Sequence, residues 1–193
     1  MLGLGNPGAE YDGTRHNAGA ATVAVLVGRL QTRRRGFRGP AWVAEAQLPG
    51  RSLLLARPKT YMNDSGAAGA RLLGQFGLGL EAVVVVHDEL DLELGQLRLR
   101  PGGGTAGHNG LRSLQTHWRS QDFARVRIGI GRPPPGEDPI DYVLARPGGG
   151  EARALERSLE RAADAVLAIA DHGLEQAMTE FNRRWDAEPD LDT

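Results

Sequence analysis

The sequence predicts an α/β protein, a single-domain three-layer α/β/α sandwich around a twisted, mixed and largely parallel central sheet. Three observations lead there. The chain has 193 residues, the length of one ordinary domain with room for a buried core. Strand-like and helix-like segments alternate through its first two-thirds, the pattern of helices laid on a sheet. Val83–Val86 is a continuous β-branched run, as expected of a strand covered on both faces.

The elements follow in order. Leu2–Leu4 reads as a short strand entering a Gly-Asn-Pro-Gly turn. Asn17-Ala18-Gly19 opens a helix to about Leu30, with Val23, Leu26, Val27 and Leu30 on one face. Ala41–Leu48 and Ser52–Ala56 flank Pro49-Gly50 as a hairpin. Asp64 or Ser65 caps a helix that runs through Phe76 and ends at Gly77. Beyond Val86, Gln96–Arg100 and Arg125–Ile130 read as strands, with helical spacing over Gly107–Trp118 between them. Glu151–Asp171 is a long amphipathic helix with Leu155, Leu159, Ala162, Ala163, Val166, Leu167 and Ala170 inward, stopping at Gly173. No repeat or long linker divides residues 1–185, which are expected to form one domain.

Composition narrows the class of function. A hydrophobic share of 40% and a charged share of 24% suit a soluble globular protein. The longest apolar stretch, near Ala18–Val27, is broken by Gly19 and Thr22 and falls short of the ~18 residues of a membrane helix. The opening Met1-Leu2-Gly3-Leu4 lacks a signal-peptide pattern. With no cysteine, disulfides, thiolate metal sites and cysteine nucleophiles are excluded, and the cytoplasm is the expected location. The net charge of −1 hides an asymmetry. Residues 186–193 carry four acids and no base, so removing them leaves +3 for residues 1–185. That acidic tail is expected to be disordered. Arg29, Arg33, Arg34, Arg35 and Arg38 cluster with no acid between them, either as a solvated loop or as a phosphate-contacting patch.

Open α/β sheets bind ligands beyond the carboxyl ends of their strands. Residues after Leu4 and after Val86 are therefore the first candidates for chemistry. In Thr14-Arg15-His16-Asn17, His16 is either a general base beside a helix start or a capping histidine. In Tyr61-Met62-Asn63, Met62 and Tyr61 either line an apolar slot or pack in the core, and Asn63 is either an amide donor or a turn residue. Acids in His87-Asp88-Glu89 directly behind four valines invite a reason: Asp88 as acceptor for a histidine ring, as a metal ligand, or as a helix cap or surface ion pair. Gly102-Gly103-Gly104 leading to Gly107-His108-Asn109-Gly110 is a loop with free backbone N–H groups, suited to an anion. It is neither a P-loop nor a dinucleotide fingerprint. Arg98, Arg100 and Arg112 flank it.

Together these segments resemble bacterial-type peptidyl-tRNA hydrolase. The resemblance rests on five motifs in the family's order: Gly-Leu-Gly-Asn-Pro-Gly to Thr-Arg-His-Asn-Ala-Gly (3–19), Pro-Lys-Thr-Tyr-Met-Asn-Asp-Ser-Gly (58–66), His-Asp-Glu-Leu-Asp-Leu to Gly (87–95), the glycine loop to Gly-His-Asn-Gly-Leu-Arg-Ser (102–113), and Phe-Ala-Arg-Val-Arg-Ile-Gly-Ile-Gly-Arg-Pro (123–133). It extends from residue 3 to about residue 183. It implies cleavage of the ester joining peptide to tRNA in peptidyl-tRNA released from stalled ribosomes, without metal or cofactor and by a monomer with no obligate protein partner. Carried onto this sequence, it makes His16 the base that activates water, Asp88 its orienting carboxylate, and Asn6 a positioning group for water or ester. Asn63 and Asn109 would hold the peptide and polarise the carbonyl, with Tyr11, Met62 and His108 lining the cleft. Arg98 and Arg127 would grip a tRNA phosphate. Two departures stand out: the first strand keeps only Met1–Leu4 where relatives have more residues, and the loop reads Gly-Thr-Ala-Gly at 104–107 where many have Gly-His-Gly-Gly. A non-catalytic RNA-binding protein on the same fold is the alternative reading, and an ester hydrolase unrelated to tRNA a third. The sequence has no Gly-x-Ser-x-Gly elbow for the last of these.

Overall fold

Seven strands and six α-helices, joined in places by single 3₁₀ turns, make up the computed structural model, which describes residues 1–184. Trp185 and the acidic tail at 186–193 lie outside the described residues, and so does the disorder expected there. The strands are β1 (Leu2–Gly3), β2 (Thr32–Arg34), β3 (Ala41–Leu48), β4 (Arg51–Pro58), β5 (Val84–Glu89), β6 (Leu97–Arg100) and β7 (Ala124–Gly129). The helices are α1 (Ala18–Arg29), α2 (Ser65–Phe76), α3 (Asn109–Trp118), α4 (Pro139–Leu144), α5 (Gly149–His172) and α6 (Leu174–Phe181).

One sheet takes the order β2-β3-β4-β1-β5-β7-β6. Its centre is parallel: β1 pairs with both β4 and β5, and β5 with β7. The flanks are antiparallel, with β2 on β3, β3 on β4, and β6 on β7. The sheet is therefore mixed, with its parallel strands grouped in the middle where helices cover both faces. Alternation along β5 shows the two layers. Val86 packs with Leu26, Leu55, Val126, Ile128 and Val166 under α1 and α5, while Val85 packs with Val43, Leu72, Leu111, Leu114 and Phe123 under α2 and α3.

Most expected elements form, and the exceptions have physical reasons. The buried strand does not stop at Val86. It continues through His87, Asp88 and Glu89, because β7 keeps pairing as far as Glu89↔Gly129. Its charged residues thus stand on the sheet itself. Thr32–Arg34, read only as a basic stretch, is the edge strand β2. Gly173 ends α5 with a φ of 89°, and the chain enters α6 at once. At the end of α6, Asn182 turns its amide onto β6: Leu99 N–H donates to Asn182 Oδ1 (2.7 Å), and Asn182 Nδ2 donates to Leu99 O (3.1 Å). Asp64 stands at the N-cap of α2 without a side-chain cap bond, and the Ser65 hydroxyl donates to Met62 O instead.

The short β1 is held by backbone contact. Leu4 N–H donates to Val86 O (3.0 Å) and Ala20 N–H to Leu4 O (2.8 Å). A Cβ on Gly19 would lie 2.2 Å from Val86 O, and one on Gly3 would lie 2.1 Å from Gly19 O. Helix α1 therefore starts with its backbone against β1 and β5, an approach open only to glycine. That contact seats the turn before α1, Arg15–Asn17, beside the end of β5.

We expect Gly19→Ala to lower the free energy of unfolding by about 2–3 kcal/mol, the scale of an overpacked core. Gly28→Ala, in the same helix but with open space around it, should raise it by up to about 1 kcal/mol. Urea denaturation of the two variants checks both signs.

Candidate active site

Asp88 points from β5 into a cleft also lined by His16, His108, Asn109, Ile140 and Val143. Its carboxylate is only 3% exposed and is approached by two imidazoles. His16 Nδ1 lies 2.9 Å from Asp88 Oδ2 and 3.1 Å from Oδ1. His108 Nε2 lies 3.0 Å from Oδ1. The two rings are 4.9 Å apart between centroids.

The partners fix the tautomers. His108 Nδ1 accepts from Gly110 N–H (3.1 Å) and Leu111 N–H (3.3 Å), capping α3. Its proton is therefore on Nε2 and is donated to Asp88. His16 donates Nδ1–H to the same carboxylate, so the His16 lone pair lies on Nε2. A third imidazole, His87, packs edge-on to His108 at 5.0 Å and donates from Nδ1 to Asp88 O (2.7 Å). Burial, with the neighbouring His108 next in importance, lowers the His87 pKa to about 3, so this ring is neutral.

The charges follow from burial and pairing. Burial opposes a proton on His16, but the Asp88 charge and hydrogen bond outweigh it, and the His16 pKa rises above its ordinary value of 6.5. Burial alone would raise the Asp88 pKa. The two imidazoles reverse that and hold it far below the usual carboxylate range.

Polar groups on the β1 side form a second cluster. Asn6 N–H donates to Asn17 Oδ1 (2.8 Å), and Asn17 Nδ2 returns the bond to Asn6 O (3.0 Å). Met62 N–H donates to Asn6 Oδ1 (2.7 Å), which leaves the Asn6 side-chain NH₂ as its donor. Asn63 follows Met62 in a 3₁₀ turn and is exposed. Tyr11 meets Tyr61 edge to face at 6.3 Å. Met62 differs from the expected cleft-lining residue. It is 4% exposed, belongs to the core cluster of α2 and α3, and lies directly beneath Gly110.

The expected phosphate-contacting residues lie on the sheet beyond this cleft. Arg98 on β6 and Arg127 on β7 face each other in register. Arg98 is exposed. Arg127 is held by Glu89, with Nε and Nη2 at 2.9 and 2.7 Å from Oε2. Two residues along, past Leu99 and Val126, Arg100 and Arg125 are paired in the same way. The buried Arg125 donates to the carbonyls of Gly103 and Gly104, fastening the glycine loop to the sheet. Burial, then repulsion from Arg127 and Arg100, lowers its pKa to about 10.

His16, Asp88 and His108 also place one potential ligand atom each within 4.8 Å of one another, the arrangement a metal ion would need. In the structure those nitrogens direct their protons at the carboxylate, which suits a base-and-orienter pair. Asn17, Arg15, Glu89 and His87 are site residues that sequence reasoning did not single out. All four directly adjoin a nominated residue, but nothing in the sequence reveals the contacts they make.

Comparison with known proteins agrees with this geometry. The family model described as peptidyl-tRNA hydrolase matches residues 1–189. A peptidyl-tRNA hydrolase of Cutibacterium acnes is 42% identical over 193 residues, covering 94% of this chain and 96% of that one. One from Frankia casuarinae is 45% identical over 182 residues, covering 94% and 92%. The crystal structure of peptidyl-tRNA hydrolase from Acinetobacter baumannii superposes with a TM-score of 0.87 at 35% identity, covering 94% of this chain and 92% of that one.

The His16 pKa measured by NMR titration should lie above 6.5. In Asp88→Asn it should fall below 6.5, because burial then acts unopposed. An unchanged value would refute the coupling.

Proposed function

We propose a mechanism on one premise: the chain belongs to the peptidyl-tRNA hydrolase family and is an enzyme with that activity. In the proposed reaction, His16 Nε2 takes a proton from a water molecule as the water oxygen attacks the ester carbonyl of peptidyl-tRNA. The tetrahedral intermediate collapses by breaking the bond to the tRNA ribose oxygen. That oxygen receives the proton back from the His16 imidazolium, leaving peptide acid and free tRNA. The observation that carries this reading is the His16 Nδ1–Asp88 bond in the open cleft, which presents Nε2 as the base. Asp88 stabilises the imidazolium as it forms.

An aminoacyl ester is an activated bond, so a base and amide donors suffice without a metal. Asn6, Asn63 and Asn109 supply those amides. Asn6 has its oxygen engaged by Met62 N–H and its NH₂ available, while Asn109 lies on the cleft at the start of α3. Amides that read the peptide bond beyond the ester would be left unpaired by an unblocked aminoacyl-tRNA, which is the physical basis for rejecting it. Arg98, exposed on β6, and Arg127 beside it would contact tRNA phosphate. The enzyme would act as a monomer, in the cytoplasm with its substrate. Among the described residues no helix is long and apolar enough to cross a membrane.

Hydrolysis of N-acetyl-aminoacyl-tRNA in EDTA tests this reading. The blocked substrate should be cleaved and the unblocked one spared, and His16→Ala should lose about 10²–10⁴-fold in rate. Metal dependence, or an active His16→Ala, would overturn the mechanism; binding without cleavage would favour the RNA-binding alternative. Because the base must be neutral, kcat/KM should rise with pH through a midpoint above 6.5. Arg98→Ala should raise KM and reduce the slope of log KM against log salt by about one phosphate contact.

A further inference from the structure

The segment carrying His16 and the helix facing it across the cleft are fastened to each other by two arginines, one from each side. Arg15, next to His16 and buried, reaches across to the end of α4. Its Nη1 donates to Tyr142 O (3.4 Å) and Ala145 O (3.3 Å), its backbone N–H to Ala145 O (3.2 Å), and its Nη2 pairs with Glu151 (2.6 Å). The guanidinium also lies 4.2 Å from the centre of the Tyr142 ring. In return Arg146, just past α4, reaches back to the loop before His16. Its Nε donates to Asp12 O (2.7 Å) and its Nη2 to Ala9 O (2.9 Å).

The arginines add donors to carbonyls at the end of α4 and in the loop. Tyr142 O also accepts from Ala145 N–H (3.3 Å) and Ala9 O from Asp12 N–H (3.3 Å), so the side chains tie the two segments together over their own backbone bonds. Helix α4 has six residues, far fewer than the ~12–15 that hold a helix alone, so its position depends on such ties. It is also fastened by the Asp138 cap on Ile140 N–H (2.7 Å), by Tyr142 and Val143 in the core, and by the Tyr142 hydroxyl, which donates to Ile130 O (2.7 Å) and keeps α4 on the end of β7. The residues α4 brings to the cleft are apolar. Pro139, Ile140 and Val143 line it, and Ile140 is 65% exposed, an open apolar surface opposite His16 and Asn109.

We propose that Arg15 and Arg146 are positioning residues for the hydrolytic reaction: a reciprocal clasp that holds the apolar wall formed by α4 at a fixed place relative to the base. The wall supplies substrate contact and the clasp sets where that contact is made. The clasp bonds run to Tyr142, Ala145, Glu151, Asp12 and Ala9 and share no partner with the His16–Asp88 pair. This inference rests on the hydrolase reading above for its kinetic part only.

The test is Arg146→Ala, an exposed position whose loss leaves Tyr142 anchored, alongside Arg15→Lys, which keeps the charge beside Glu151 but removes the fork. Hydrogen exchange at the α4 amides of Tyr142 and Ala145, without substrate, should speed up about tenfold in both variants while α5 and the sheet keep their protection. On N-acetyl-aminoacyl-tRNA, KM should rise about five- to tenfold, the scale of one or two lost hydrogen bonds. The rate at saturation should stay within about twofold of the parent and the pH midpoint should not move; Arg146→Lys should recover part of the KM. Unchanged exchange in α4 would overturn the clasp. Faster exchange with unchanged KM would overturn its role in positioning and leave only a staple. A fall in kcat with a shifted pH midpoint would overturn the separation of wall from base. If the parent chain itself hydrolysed nothing, the hydrolase reading would fail while the exchange data still decided the clasp.

Discussion

A carboxylate buried as deeply as that of Asp88 must be paired on every side or it costs several kcal/mol. Here both partners are imidazole N–H groups, and that demand organises the site around it. His16 must turn Nδ1 inward, which exposes Nε2. His108 must turn Nε2 inward, which releases Nδ1 to accept from the first amides of α3. One anion thus orients His16 and fixes His108 in the tautomer that caps α3. His87, neutral and packed against His108, fills the remaining space without adding charge. A His108 protonated on both nitrogens could not accept from Gly110 and Leu111, so the cap of α3 requires the neutral ring.

The carboxylate reaches this position because the backbone does. β5 runs three residues past its valines, and it can do so because β7 continues beside it as far as Gly129. On its other side β1 supplies only Leu2 and Gly3 as partners. The space beyond is occupied by the turn into α1, brought close by two glycines. A larger residue at either glycine would push the turn carrying His16 away from β5. The same sheet divides the labour by face: Asp88 turns toward His16, while Glu89, one residue on, turns to the other face and holds Arg127.

Much of this was legible in the sequence, and the limits are instructive. Helices with a clear apolar face, such as α1 and α5, and the hairpin around Pro49-Gly50 were readable because periodicity and turn chemistry act locally. The extent of β5 was not, since His87-Asp88-Glu89 looks like a loop and becomes a strand only through pairing with β7. The six-residue α4 offers too little periodicity to read and is stabilised by contacts from the far end of the chain. The motifs did bring His16, Asp88, His108 and Asn109 to one cleft. Of the two readings open for Met62, the structure has its side chain in the core, while its backbone N–H serves Asn6. Arg15 and Asn17 carry no site role in the sequence reading because their partners, Ala145 and the Asn6 backbone, are distant or are main-chain groups that sequence cannot label.

The amide of Asn182 on β6 has a meaning beyond holding α6 in place. Outermost strands carry unpaired N–H and C=O groups that recruit strands from other molecules and seed aggregates. By offering one oxygen and one nitrogen to Leu99, Asn182 imitates a neighbouring strand one residue long and occupies the docking point at the middle of that edge. At the opposite margin β2 presents Arg33 and Arg34, both exposed, so two copies meeting there would bring like charges face to face. The sheet is closed to growth at both ends, by mimicry at one and by repulsion at the other.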